Sequence, residues 1–348
     1  MVELACATLR YRRYLCYQRR KGEEDVIFYT EGIWMIRGLL DDITSHGDQG
    51  AVVPFSRVED LKKDMIALKN GDFHPDWINR MANHITDDAN KFVPAGIGFE
   101  PRSLISVVMP TQKAIFQFSY HGKTVECRVP PIQTNFYKNN DRVLHYLSDY
   151  LSPIGFSAAK AVTLPQKLLA VHCGLGLYGR NNICYNNEFG SYISIMTYIS
   201  DLTCDEHAWF PIRRMEICEK CYECVTACPT KAIEITRSLI DSDRCVTYYN
   251  ENPGEFPDWL DKKVHSCVVG CMKCQDCCAA NSMNKDNADI RAIFTEDETI
   301  ELLQNKGDLP YTDSLAYKIE MTGPLPEFAK PDVLSRNLVA LFQNISIL

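Results

Sequence analysis

The hydrophobic and polar positions change period along the chain. Residues 1 to about 90 read as mostly helical. Within them Ser56-Arg57-Val58-Glu59 fits a capping box, and Val58, Leu61, Met65, Ile66 and Leu68 follow at helical spacing until Asn70-Gly71. From Leu104 the pattern shortens. Leu104-Ile105-Ser106-Val107-Val108-Met109, apolar except for the serine and ended by Pro110, reads as a buried strand. Residues 113–119 and 123–129 flank His121-Gly122, which signals a hairpin. Asp141 to Leu151 turns Val143, Leu144, Leu147, Tyr150 and Leu151 to one helical face, and Pro165 opens another helix through Leu168, Leu169 and Val171. That helix meets Gly174-Leu175-Gly176-Leu177-Tyr178-Gly179-Arg180-Asn181-Asn182. Next come Ile183-Cys184-Tyr185, a turn at Asn186-Asn187, and a strand-forming run from Ser191 to Ile199. Thr295 to Glu298 is a second capping box, and Val333 to Asn344 a last helix. Helices interleaved with strands predict an α+β (α/β) fold with a mixed sheet.

Composition narrows the class. The chain has 348 residues, with Lys+Arg 37 against Asp+Glu 45 and a net charge of −8. Hydrophobic residues at 46% and charged residues at 24% are ordinary for a globular protein and exclude disorder, collagen and coiled coil. No apolar run approaches the roughly 18–20 residues of a membrane span. Arginines stand where a signal peptide would be apolar, so a cytoplasmic location and no membrane partner are expected. The acidic balance supplies no general basic field for nucleic acid.

The cysteines carry the chemistry. There are 16, eleven of them between Cys204 and Cys278. In a reducing compartment a dense thiol cluster holds metal rather than disulfides. Cys218-Glu-Lys-Cys221-Tyr-Glu-Cys224-Val-Thr-Ala-Cys228-Pro229 is the bacterial ferredoxin run. Three cysteines at two-residue gaps wrap one cubane, and the fourth points to a neighbouring cluster. Zinc would instead want two separated pairs. Pro229 is expected to begin a helix over Thr230–Ile233. A second set, Cys245, Cys267, Cys271, Cys274, Cys277 and Cys278, repeats the cadence. By the crossover rule cluster A takes Cys218, Cys221, Cys224 and a remote thiol, best Cys278, with Cys277 as the rival. Cluster B takes Cys228, Cys271, Cys274 and either Cys245 or Cys267. The three left over, among them Cys204, are expected to be small buried hydrophobes.

These pieces, in this order, resemble the epoxyqueuosine reductases and their relatives, cobalamin-dependent double [4Fe–4S] proteins. Beside the two cysteine runs, Arg244-Cys245-Val246-Thr247-Tyr248 resembles the family's Arg-Cys-Ile-Ser-Tyr. Leu169 to Gly176 with Gly179-Arg180-Asn181 is similar to its Ala-Gly-Leu-Gly…Gly-Lys-Asn segment. Ser335-Arg336-Asn337-Leu338 resembles its C-terminal helix. The likeness covers roughly residues 94–345. It implies that Cys245 joins cluster B and Cys278 joins cluster A. It also implies a base-off cobalamin between an N-terminal nitroreductase-like domain and the ferredoxin module. Gly174, Gly176, Gly179, Arg180, Asn181, Asn182 and Thr247 then become candidate cofactor contacts. The same glycines also suit a tight helix-to-strand turn with no ligand. The expected organisation is a helical region over residues 1–90, a corrinoid domain over 91–203, a cluster domain over 204–290, and C-terminal helices over 291–348 that pack back on the core.

The departures shape the functional expectation. The family's catalytic aspartate stands in a Val-Asp-x-x-Pro stretch, where this chain reads Ala161-Val162-Thr163-Leu164-Pro165. No acid occurs from Ser157 through Cys173. Cys278 is followed by Ala279-Ala280-Asn281 rather than proline. The expectation is a cobalamin-dependent iron–sulfur oxidoreductase acting on a small molecule, fed by a low-potential donor such as ferredoxin or flavodoxin. The rival readings are a redox activator of another corrinoid protein, a dicluster electron carrier without cobalamin, and epoxyqueuosine reductase proper acting on tRNA. In the last case Tyr178 or Tyr248 would donate the proton. His172, His207 and His265 are read as packing or surface residues.

Overall fold

The structure, a computed structural model, describes residues 4–9, 13–20, 23–69, 92–131, 136–205, 207–236, 239–284, 288–305, 310–322 and 330–345. They form two compact units. The first comprises Met1–Val108, Val143–Leu175 and Ile195–Pro211; the second comprises Met109–Arg142, Gly176–Ser194 and Ile212–Leu348. The expected domain over 91–203 is therefore divided, and residues 176–194 fold with the cysteine segment.

In the first unit a four-stranded sheet orders Gln49–Pro54, Ser103–Pro110, Ile193–Ser200 and Ala158–Lys160. The apolar run at 104–109 is the central strand, with Leu104, Ile105, Val107 and Val108 fully buried. The helices Val58–Lys69 and Gln166–His172 pack Leu61, Met65, Leu168 and Leu169 with Leu104 and Ile199. Ser56 does not cap the first of these, since it lies inside a 3₁₀ turn over Phe55–Arg57. Ile66 is exposed, and Asn70-Gly71 lies outside the described residues.

The expectation of a mostly helical N-terminal region is corrected. Leu4–Leu9, Arg13–Arg20 and Glu23–Thr30 form a three-stranded antiparallel sheet before the helix Glu31–Ser45. The pairing sets Tyr14 opposite Tyr29 and Cys16 opposite Ile27. The sequence reason is the density of aromatic and β-branched residues in Tyr14–Tyr17 and Val26–Tyr29.

In the second unit the expected hairpin joins Lys123–Val129 to Lys113–Tyr120 in antiparallel register. His121 and Gly122 both take positive φ, 48° and 70°, as the two-residue turn requires. Ala288–Phe294 adds to the far side of Lys113–Tyr120 in parallel. The C-terminal helices Glu296–Gln304, Asp313–Thr322 and Pro331–Asn344 contribute Leu302, Leu315, Leu338 and Phe342 to the core with Phe116, Phe118 and Phe294. Phe118 and Phe294 stack at 4.6 Å. The capping box at Thr295 and Glu298 forms with both reciprocal bonds. Among the described residues no helix is long and apolar enough to cross a membrane.

Candidate metal centre

The second unit gathers the cysteines on short local elements. A 3₁₀ turn at Glu216–Glu219 carries Cys218, the helix Glu223–Ala227 carries Cys224, and Lys273–Asp276 carries Cys274. The electrostatic neighbours of the Cys224 thiol are Cys277, Cys218, Cys278 and Cys221. Cys218, Cys221, Cys224 and Cys278 also line one cleft together with Arg180 and Tyr185. A second group forms around Cys271, whose thiol neighbours are Cys245 and Cys228, while Cys274 neighbours Cys271 and Cys245. Burial pushes the free thiols of Cys224 and Cys271 up to about 11. Among the described residues no three Cys, His, Asp or Glu side chains converge on a single metal ion. A cubane instead keeps its four thiolates apart, one on each iron.

Nearby donors point at the second group. The Ala232 amide donates to Cys228 Sγ at 3.2 Å. This contact replaces the helix expected over Thr230–Ile233, because Lys231 takes a φ of 56° and turns the chain back. Cys245 stands at the N-terminus of the helix Val246–Glu251, where its carbonyl accepts from the Tyr248 amide at 3.0 Å. The Thr230 hydroxyl lies 3.7 Å from Cys228 Sγ. Amide and hydroxyl dipoles aimed at sulfur favour the thiolate and the more reduced cluster.

The residues offered to a corrinoid are engaged within the chain. Arg180 is buried, and its guanidinium donates to the carbonyls of Cys221 at 3.2 Å, Ile235 at 3.3 Å and Cys218. Its charge also lies 4.7 Å from the Tyr222 ring. Asn181, also buried, donates to the Tyr185 hydroxyl at 2.8 Å and the Cys274 carbonyl at 3.3 Å. Thr247 lies beside Cys245. A methyl group at Gly176 would meet Cys184 Sγ at 2.5 Å, and one at Gly179 would meet the Tyr185 ring at 2.6 Å. In the first unit, Gly174 has φ 76°, and a methyl group there would meet the Phe210 ring at 2.6 Å. Asn182 is half-buried, with φ 59°.

The stretch expected to hold an acid has none. In the first unit Val162 and Thr163 are exposed, and Thr163 takes a φ of 53°. Of the two candidate proton donors, Tyr178 pairs in a two-residue strand with Cys184, and the Tyr248 ring meets Tyr249 edge-on at 5.2 Å. His172 bonds Asp64 at 2.7 Å and the Phe210 carbonyl at 2.6 Å, and stacks on Trp209. His207 accepts from Arg57 at 2.8 Å. His265 is buried against Phe256. Cys204 and Cys267 are buried as expected, but Cys277 is only partly covered and neighbours Cys278, Glu223 and Cys221. Its place in the turn after Cys274 keeps it beside the first thiol group.

Further supports come from residues whose local pattern assigns them no role here. Asn281 stands three residues after Cys278, downstream of the position where the family has proline. It ties Ser191 and the Gln275 carbonyl at 2.8 and 2.9 Å. Arg336 and Asn337 of the last helix hold the main chain around residues 249–254 and 268. Tyr185 stands in the two-residue strand Cys184–Tyr185, where nothing local marks it as functional.

Comparison with known proteins places this geometry. Residues 217–281 match the family described as a 4Fe-4S double cluster binding domain. The epoxyqueuosine reductase of Leadbetterella byssophila is 33% identical over 123 residues, 35% of this chain and 39% of that protein. The matched stretches span less than half the length of the curated relatives, 45%, 39% and 36% for three of them. An epoxyqueuosine reductase structure from Bacillus subtilis has a TM-score of 0.64 at 16% identity, over 91% of this chain and 83% of that one. Another, with an epoxyqueuosine-modified tRNA-Tyr stem loop, has a TM-score of 0.65 at 17% identity over 91% and 84%. These two likenesses establish a shared mixed α/β fold.

Proposed function

We propose that this chain, an epoxyqueuosine reductase-like protein, is an oxidoreductase that passes electrons through two [4Fe–4S] clusters to epoxyqueuosine in tRNA. Cys218, Cys221, Cys224 and Cys278 hold cluster A. Cys228, Cys245, Cys271 and Cys274 hold cluster B. The observation that carries the reading is the grouping of the thiols into these two sets, with Cys228 and Cys278 crossing between the runs. When bound, each cluster supplies a one-electron carrier. Reduction of an epoxide to an alkene and water takes two electrons and two protons, so a pair of clusters matches the electron count. A low-potential donor such as ferredoxin or flavodoxin would refill them.

The cobalamin implied by the family resemblance is not built into this reading. Six of the seven residues offered to it face the chain's own side chains or cluster loops, and they do not make a corrin cradle. No step is routed through it. The chain's own contribution is to fix the thiols, exclude water from the buried ones, and direct donors at their sulfurs.

A second reading, a reductase of a small molecule, is favoured by the acid-free stretch Ser157–Cys173, since an epoxide-derived alkoxide needs a proton donor. The test is anaerobic purification with iron and sulfide analysis, then turnover of epoxyqueuosine-containing tRNA with a chemical reductant. About eight irons and eight sulfides with measurable queuosine formation support the first reading. Eight irons with no turnover of tRNA favour the second, and tightly bound zinc would sink both.

A further inference from the structure

The segment from Gly179 to Tyr185 is built tightly. Gly179 leaves no room for a methyl group, because Asn181 Oδ1 and the Tyr185 ring would meet it at 2.5 and 2.6 Å. Asn181 and Tyr185 are 4% and 2% exposed. Both side chains line the cleft that Cys218, Cys221, Cys224 and Cys278 share. The Tyr185 hydroxyl lies beside the Cys278 thiol in this cleft, and Asn181 Nδ2 donates to the Cys274 carbonyl at 3.3 Å. The Asn181 amide nitrogen feeds the same hydroxyl at 2.8 Å, which leaves the tyrosine proton free to point at sulfur. One asparagine thus reaches a ligand of each cluster.

Cys228 of cluster B is served from its own loop, by the Ala232 amide. The hydroxyl beside Cys278 is different. It comes from Tyr185, some 90 residues earlier in the chain, in a strand outside both cysteine runs. A hydrogen bond to a cluster thiolate stabilises the reduced cluster, which carries one more negative charge, more than the oxidised one. Removing it makes reduction harder. In a buried site this effect is not diluted by solvent.

We propose that Asn181 and Tyr185 are positioning residues that set the reduction potential of cluster A relative to cluster B, through one hydrogen-bonded link between Cys278 and Cys274. The inference rests on the ligand assignment above. It gives the Gly179-Arg180-Asn181 segment a role that needs no external ligand. Gly179 admits the ring, Arg180 fastens the loop of Cys218 and Cys221, and Asn181 orients the hydroxyl.

The test is an anaerobic redox titration of the reconstituted holoprotein, followed by electron paramagnetic resonance. Tyr185→Phe keeps the ring and removes the donor. At a fixed potential the reduced-to-oxidised ratio of cluster A is expected to fall about tenfold, equal to about 59 mV for a one-electron couple, with cluster B unmoved. Asn181→Ala should shift both clusters in the same direction and covers the case in which the tyrosine variant loses iron. Cys278→Ala separates the two layers of the argument. If it retains both clusters, the ligand assignment has failed. If it loses cluster A while Tyr185→Phe and Asn181→Ala keep eight irons at unchanged potentials, the tuning role is overturned.

Discussion

The side-chain amide of Asn337, in the last helix, donates to the main-chain oxygen of Asn250 at 2.8 Å, and the same nitrogen reaches the Val268 carbonyl at 2.8 Å. Asn250 in turn donates to the Gly270 carbonyl at 2.9 Å. The C-terminal helix is thereby pinned beneath the loop that enters Cys271. Both asparagines are fully buried. Asn337→Ala strands two buried carbonyls, at about 1–3 kcal/mol each. Chemical denaturation of the holoprotein should show a loss of a few kcal/mol. Iron analysis should show cluster B depleted before cluster A.

Glycine at 179 is demanded by the chain itself, so its replacement acts without any added cofactor. Gly179→Ala drives a methyl group into the Tyr185 ring and Asn181, and Gly176→Ala into Cys184. Overpacking of this kind costs about 1–3 kcal/mol. Both variants should lose iron in preparations that have never met cobalamin, as measured by metal analysis after anaerobic reconstitution. Full iron retention would return these glycines to the list of candidate ligand contacts.

Local pattern made part of this molecule readable. The strand over Leu104–Met109 and the hairpin at His121-Gly122 follow from an apolar run broken only by Ser106 and a two-residue turn, signals carried by neighbouring residues. The double-cluster segment over residues 217–281 was legible for the same reason, since cubane spacing is local to each loop. What failed depended on distance or competition. Ala288–Phe294 pairs with Lys113–Tyr120 across more than 160 residues, and no periodicity announces such a partner. Ser56-Arg57-Val58-Glu59 satisfies a capping pattern, yet the chain tightens into a 3₁₀ turn there. Arg180, Asn181 and Thr247 are polar residues on motif positions. Only their three-dimensional neighbours show that they lie against the cysteine loops.

His265 makes stability depend on pH. Burial, then the charges of Arg336 and Lys262, hold its imidazole down at about 4, against an ordinary value of 6.5. Neither ring nitrogen has a hydrogen-bond partner among the described residues, and Phe256 covers the ring. The folded-state value is depressed, so the unfolded chain binds more protons between these limits. The fold's advantage is complete above pH 6.5 and is lost as pH falls toward 4, by on the order of 3 kcal/mol. Denaturation midpoints at pH 7 and pH 5, compared with those of His265→Phe, isolate this contribution from acid damage common to both proteins. The variant should lack that part of the slope. Equal slopes would mean that the histidine is protonated in the fold.

The acid-free loop predicts slow chemistry. Loss of a general acid costs about 10²–10⁴ in rate, so the unmodified chain should turn over epoxyqueuosine tRNA that much more slowly than a reductase carrying the aspartate. Thr163 is the place to restore it. Its φ of 53° is left-handed, where a β-branched side chain is strained and aspartate is tolerated. The position is also exposed. Thr163→Asp should therefore fold at least as well as the parent, and single-turnover kinetics should show a faster chemical step with binding of tRNA unchanged. A parent already as fast as an aspartate-bearing reductase would mean that another group donates the proton. Tyr248→Phe and Tyr178→Phe would then identify it, because either substitution removes a hydroxyl while keeping the ring that packs there.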